Sequence, residues 1–197
     1  MRRELQRLSH LGTHDTVLDF SSNHFDLFGL PAVFALDSDQ LAGRYRDLQR
    51  ELHPDRFAAA GEREKRLSLQ ASTLVNEAYQ TLKDPLSRAR YLLTLRTGAA
   101  DDDKETTQDM AFLMEQMELR EALAVAPKGR DPYGAVGEVM ARLSSQSSQL
   151  TAQLASCLET KEGTDLAEAR EILRKLQFVR RCQAEAEALE ADLDEAL

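Results

Sequence analysis

An all-α fold in two parts is what this sequence predicts, on three observations. Ala, Leu, Glu, Arg and Gln dominate the 197 positions, valine and isoleucine are sparse, and no run alternates apolar with polar residues. Apolar positions instead recur at three- and four-residue intervals over long stretches. One segment, Thr97 to Thr106 (TGAADDDKET), is acidic and apolar-poor and reads as a boundary. The expected division is an extension over 1–22, a first domain over 23–97, a linker over 98–106 and a second domain over 107–197.

The elements follow in order. Residues 1–22 show little periodicity and are expected to form an extension without a core. A short helix lies around His24–Phe28, closed by Gly29 and Pro31. The next helix starts at Asp37 or Ser38, with Gln40 placed to complete a capping box from Asp37. Leu41, Tyr45, Leu48 and Leu52 form its apolar stripe. It must stop by His53, because the residue before a proline is pushed out of the α region. A third helix carries Leu67, Ala71, Leu74, Ala78 and Leu82 and ends near Asp84. Asp84-Pro85 then reads as the cap and first residue of a fourth helix through Leu95. The second and third helices, joined by about ten residues, make a helical hairpin. Beyond the boundary, helices over 107–126, 133–160 and 165–195 are expected. Asp131-Pro132 starts the middle one and Asp165 with Glu168 caps the last, and the short joints favour an antiparallel three-helix bundle.

Several function classes drop out. No run approaches the 18 or so apolar residues of a membrane span. Cys157 and Cys182 are isolated, which suits a reducing cytosol and neither a disulfide framework nor a thiolate zinc site. Met1–Leu18 lacks an uninterrupted apolar core and a cleavage signal, so secretion is not expected. The net charge of −9 is uneven. Residues 1–97 carry 14 Lys/Arg against 13 Asp/Glu, and residues 98–197 carry 11 against 21. An acidic second half is unsuited to phosphate contacts, so no nucleic-acid partner is expected. The histidines (His10, His14, His24, His53) lie in or near loops, and no HExxH, GxSxG, GxGxxG or Walker run occurs. His10 and His14 have i, i+4 spacing but no further ligands nearby. No catalytic residue, metal or cofactor is expected.

What remains is a pair of surfaces. The first runs along the hairpin. Arg46 and Arg50 point ~130° and ~170° away from the stripe of the second helix, at ~100° per residue. They lead to His53-Pro54-Asp55 at the hairpin tip, and Arg44 flanks them. Alone, the tripeptide has a plain account: proline ends a helix and Asp55 makes an Asx turn. Arginines on a free face are likewise usually solvated charge. Together, tip and arginines make one edge suited to an acidic partner. The second surface lies on the helix Met110–Ala126. Phe112, Leu119 and Leu123 gather on one side. Met110, Leu113, Met114, Met117 and Val125 gather on the other, with Glu118 and Glu121 among them. One stripe suffices for a bundle helix. The other either packs against the first domain or forms a methionine-rich face for a partner. Phe178 projects away from the stripe of Ile172, Leu173, Leu176 and Val179, which favours a composite binding site, although a single surface aromatic is ordinary.

With the hairpin, its tip, Asn76-Glu77-Ala78-Tyr79 and Leu82-Lys83-Asp84-Pro85 in view, residues 23–97 resemble the J-domain of Hsp40-type co-chaperones. Four pieces together are similar, in order and separation, to the HscB family of J-type co-chaperones of iron–sulfur cluster assembly. They are Phe25-Asp26-Leu27-Phe28-Gly29-Leu30-Pro31, the His-Pro-Asp-Arg-Phe loop, Arg88-Ala89-Arg90-Tyr91-Leu92-Leu93, and Phe112-Leu113-Met114-Glu115-Gln116-Met117-Glu118-Leu119-Arg120-Glu121. The likeness runs from about His24 to Leu193. It implies that His53, Pro54 and Asp55 stimulate ATP hydrolysis by a DnaK-class chaperone, HscA, with Arg46 and Arg50 supporting the contact. It further implies that Leu113, Met114, Met117, Glu118, Glu121 and Phe178 bind the cluster scaffold IscU. Residues 1–22 carry no match, and the zinc-binding cysteine pairs of some eukaryotic relatives are absent, which favours a bacterial, cytoplasmic type without metal. A J-protein with an unrelated client and a purely structural helical protein are the alternatives.

Overall fold

The computed structural model describes residues 22–57, 61–98, 107–159 and 166–195. Residues 1–21 of the expected extension, 99–106 of the expected linker, and Asp165 lie outside the described residues. Every element among those described is helical, as the composition requires. The chain divides into two compact units, 1–88 and 89–197.

In the first unit, α1 (His24–Leu27) is capped by Asn23, whose side chain accepts from the Phe25 and Asp26 amides. Gly29 then takes φ +61°, the left-handed region in which a side chain is strained. Asp37 caps α2 (Ser38–Leu52) by accepting from Asp39 and Gln40. Leu41 and Leu48 are buried, and α2 ends at His53 as the following proline dictates. A 3₁₀ turn over Pro54–Phe57 leads towards α3 (Glu62–Lys83), which packs back along α2.

The seam of α3 is shifted from the expected stripe. Ser68, Ala71, Val75, Ala78 and Leu82 are buried, whereas Leu67 and Leu74 are only half-buried. Both sets have helical spacing and share Ala71, Ala78 and Leu82. The packed version substitutes Ser68, which bonds the end of α2, and Val75, which is buried between α3 and its neighbours. Asp84 caps α4 (Pro85–Thr97), accepting from the Ser87 amide and hydroxyl. Arg88 is buried, with its guanidinium 5.3 Å from the centroid of the Phe34 ring, so the arginine that opens the Arg-Ala-Arg-Tyr segment is a packing residue.

In the second unit, α6 (Pro132–Glu159) and α7 (Leu166–Glu195) are the long pair. They run antiparallel: Tyr133, at the start of α6, donates to Asp194 near the end of α7. Both helices also meet the end of α4, where Arg96 donates to the Leu158 carbonyl and Arg170 to the Thr97 hydroxyl. Between them lies a leucine-rich core of Leu143, Leu150, Leu154, Leu158, Leu173 and Val179. α5 (Met110–Val125) completes the expected bundle, burying Phe112, Gln116, Leu119 and Leu123. Its first residues are tied to α7 by charge. Asp109 caps α5 through the Phe112 amide and takes the Lys175 ammonium at 2.7 Å, and Thr107 donates to Glu171.

The hydrogen bond from Lys175, then that from the Phe112 amide, hold the Asp109 carboxyl below the ordinary carboxylate value of 3.8. A carboxyl lowered on folding stabilises the fold above its unfolded value and loses that contribution as pH falls through the lower folded one. The thermal midpoint of the protein should therefore drop more steeply below pH 3.8 than that of Asp109→Asn. Parallel midpoint-against-pH curves for the two proteins would contradict this ion pair's role.

Candidate functional site

Two surfaces hold the residues singled out from the sequence, one in each unit. The first begins where α2 stops. Past Leu52 the backbone has no helical partners for its last carbonyls, and the Ser68 hydroxyl of α3 donates to the Leu52 carbonyl at 2.8 Å. The Arg56 amide donates to the His53 carbonyl, closing the turn. Within it the Asp55 amide donates to His53 Nδ1 at 3.3 Å, which orients the ring against its own turn. The Asp55 carboxylate lies 3.5 Å from Nδ1 yet is 91% exposed, free to receive a cation. The backbone of the tip is thus tied to the hairpin while its polar groups stay in solvent.

Arg44, Arg46 and Arg50 are all exposed. Arg46 and Arg50 share one face, and Arg50 leans on Asp47 at 3.2 Å in a solvated pair worth little. Arg44 stands on the other flank of α2, ~160° from Arg46. A polar clasp at mid-hairpin, which composition did not signal, holds α2 to α3. Tyr45 and Tyr79 stack at 3.9 Å with rings 8° from parallel, the Tyr45 hydroxyl donates to Asn76, and the Gln49 amide reaches both.

The second surface is the outer face of α5. Met110, Met114, Met117 and Val125 are 59–71% exposed. Leu113 is half-buried, and Glu118 and Glu121 are exposed with no ion-pair partner among the described residues. The helix has two apolar sides and only one is packed, so the second stripe of the sequence is open to solvent.

Phe178 differs from its sequence expectation. It does not stand free on α7 but is half-buried, its ring edge-on to Phe112 at 6.1 Å and covered by the Arg120 guanidinium at 4.9 Å. Arg120 in turn makes a two-pronged bond to Glu185, at 2.9 and 3.1 Å. The reason is that α7 serves two neighbours, α6 on one arc and α5 on the other, and Phe178 belongs to the second. A single inward stripe is too narrow a description for such a helix. Arg120 and Glu185 are 65 residues apart, and no local pattern pairs them. Lys175 over Phe112 repeats the arrangement one turn earlier on α7, giving an aromatic pair flanked by two cations, each held by its own carboxylate.

With this geometry in place, comparison with known proteins is decisive. The DnaJ domain family model matches residues 23–91, and the model described as the HSCB C-terminal oligomerisation domain matches residues 108–187. The co-chaperone protein HscB homolog of Shewanella amazonensis is 40% identical over 168 residues, covering 85% of this chain and 97% of that one. The chain belongs to the HscB co-chaperone family. The HscB homolog of Vibrio vulnificus agrees, at 42% over 171 residues and 87% and 98% coverage. Chaperone HscB from Vibrio cholerae superposes with a TM-score of 0.78 at 40% identity, covering 87% of this chain and 99% of that one. Human co-chaperone HscB also superposes at 0.78, with 32% identity and 87% and 84% coverage. The first unit therefore carries a J-domain, and the chain is a J-domain co-chaperone.

Among the described residues no group of His, Cys, Asp and Glu could hold a metal, and no helix is long and apolar enough to cross a membrane. The Ser68 bond makes the tip testable. Ser68→Ala leaves the Leu52 carbonyl without that donor and should cost about 1–3 kcal/mol in denaturant unfolding. It should also raise hydrogen exchange at the Arg56 amide. Exchange there equal to the parent's would show that the tip is held without Ser68.

Proposed function

We propose that this protein is a cytoplasmic co-chaperone of iron–sulfur cluster assembly that presents the scaffold IscU to the DnaK-class chaperone HscA and stimulates its ATPase. The carrying observation is that one chain bears both a backbone-tethered tip with exposed His53 and Asp55 side chains beside a basic helix face and an uncovered methionine face on a separate unit. HscA docks on His53, Pro54, Asp55, Arg46 and Arg50, with Arg44 at the flank. The Asp55 carboxylate meets an arginine of the chaperone, with His53 beside it. The chain itself neither binds nor hydrolyses ATP; it triggers turnover in its partner and needs no cofactor.

IscU is held by Leu113, Met114, Met117, Glu118, Glu121 and Phe178. Methionine side chains adapt to an apolar counterpart. The two carboxylates favour a counterpart edged with lysine or arginine. Holding both proteins on one chain raises the effective concentration of scaffold at the chaperone without tight binding at either surface. The division of labour supported here gives 23–97 to the chaperone and 107–197 to the scaffold, with 98–106 as the linker.

The description of the C-terminal family model raises a second use for the methionine face, contact with another copy of the chain. Light scattering of the purified chain separates the two, because the scaffold reading expects a monomer mass with the face intact. His53→Gln should abolish stimulation of HscA and leave IscU binding unchanged. Met117→Ala with Phe178→Ala should weaken IscU binding about tenfold or more while basal stimulation by the chain alone is kept. Met114→Ala with Met117→Ala serves as the variant that leaves the Phe112–Phe178 packing intact. Loss of both activities together, at unchanged helicity, would overturn the division.

A further inference from the structure

We propose that Leu69 is a further contact residue for the chaperone, an apolar anchor set beside the His-Pro-Asp tip; this rests on the docking reading given above. Leu69 is 61% exposed, and among the described residues of the first unit only it and Val33 are large apolar side chains left open. A lone surface leucine is commonplace. What distinguishes this one is where the hairpin holds it.

Two sets of hydrogen bonds fix the register of α2 against α3. At mid-hairpin, Asn76 meets Tyr45 and Gln49. Towards the tip, Ser68 meets the Leu52 carbonyl, the last of α2 before His53. Leu69 lies seven residues before Asn76, two turns nearer the tip and only ~20° around the helix, so it continues the seam that Asn76 occupies. On α2 the same seam runs from Tyr45 through Gln49 to His53 at four-residue steps. The projection therefore sets Leu69 towards the tip, on the flank of the hairpin that carries His53 and Arg46, with its side chain open to solvent.

Its neighbours one turn earlier, Lys65 and Arg66, are exposed cations, Lys65 sharing Glu62 at 3.1 Å. The result is an apolar spot ringed by basic and polar groups. Solvated charges steer and orient a partner but contribute little affinity, whereas an apolar side chain that becomes buried at the centre of the contact contributes much. The occupant this pattern fits is an apolar pocket on an acidic surface of the DnaK-class chaperone, continuous with the part that receives Asp55.

The test is the steady-state ATPase of HscA titrated with the full chain. Leu69→Asp should raise the concentration for half-maximal stimulation about tenfold or more, with the plateau retained, because Leu69 does not act on the nucleotide. Leu69→Met, which keeps the apolar volume, should titrate like the parent. IscU binding and the thermal midpoint of both variants should match the parent, as expected of an exposed position. If Leu69→Asp titrates within twofold of the parent while His53→Gln abolishes stimulation, the anchor is wrong and the docking reading stands. If His53→Gln stimulates as well as the parent, the docking reading itself falls, whatever Leu69 does. Should Leu69→Asp lower the thermal midpoint, Leu69→Gln replaces it, with the same expected rise and the same overturning result.

Discussion

Everything at the tip of the α2–α3 hairpin depends on a helix that is forced to stop. Pro54 prevents α2 from continuing, and a stopped helix leaves carbonyls that must find donors. Ser68 supplies one for Leu52, and the 3₁₀ turn over Pro54–Phe57 takes up the chain direction at once. With the Leu52 carbonyl bonded by Ser68 and the His53 carbonyl by the Arg56 amide, the turn is held while His53 and Asp55 stay exposed. The tip thus combines a fixed main chain with solvated His53 and Asp55 side chains. The clasp of Tyr45, Gln49, Asn76 and Tyr79 extends the same logic, locking the register that sets Leu69 and the α2 arginines relative to the tip.

The second unit meets a different demand with different means. A helix that must both pack and remain available needs two apolar sides, and α5 buries Phe112, Leu119 and Leu123 while Met114 and Met117 stay in water. Leaving such residues exposed forgoes the burial free energy they could contribute to folding. The surrounding structure offsets this with tethers along α5: Lys175 on Asp109, Arg120 on Glu185, and the Phe112–Phe178 contact between them. Only part of Phe178 stays open to solvent, with the Arg120 guanidinium over its ring.

Much of this was legible in the sequence because much of it is local. Asp37, Asp84 and Asp131 cap the helices they precede, and proline stops α2, through contacts spanning three or four residues. The exposed arginines of α2 and the outer methionines of α5 were legible as well, since helical periodicity alone assigns them to faces. The misreadings have a common cause in long-range choices. Leu67 and Leu74 have a stripe's spacing as good as that of Ser68 and Val75, and only what packs against α3 decides between them. Phe178 looked free because its cover, Arg120, comes from another helix. The Ser68–Leu52 bond was hidden because a serine in a helix ordinarily bonds its own backbone or solvent. Leu69, one position from the true seam, was obscured by the same shift.

In the function proposed above, one chain couples two proteins by holding each on its own surface. The most direct test is the ATPase rate of HscA with the chain alone, with IscU alone, and with both. The rate with both should exceed the sum of the two separate stimulations. This excess should vanish when the chain is replaced by an equimolar mixture of His53→Gln and the Met114→Ala, Met117→Ala double variant, each of which keeps one surface only. A rate with both present that equals the sum, or a mixture as effective as the intact chain, would contradict the coupling.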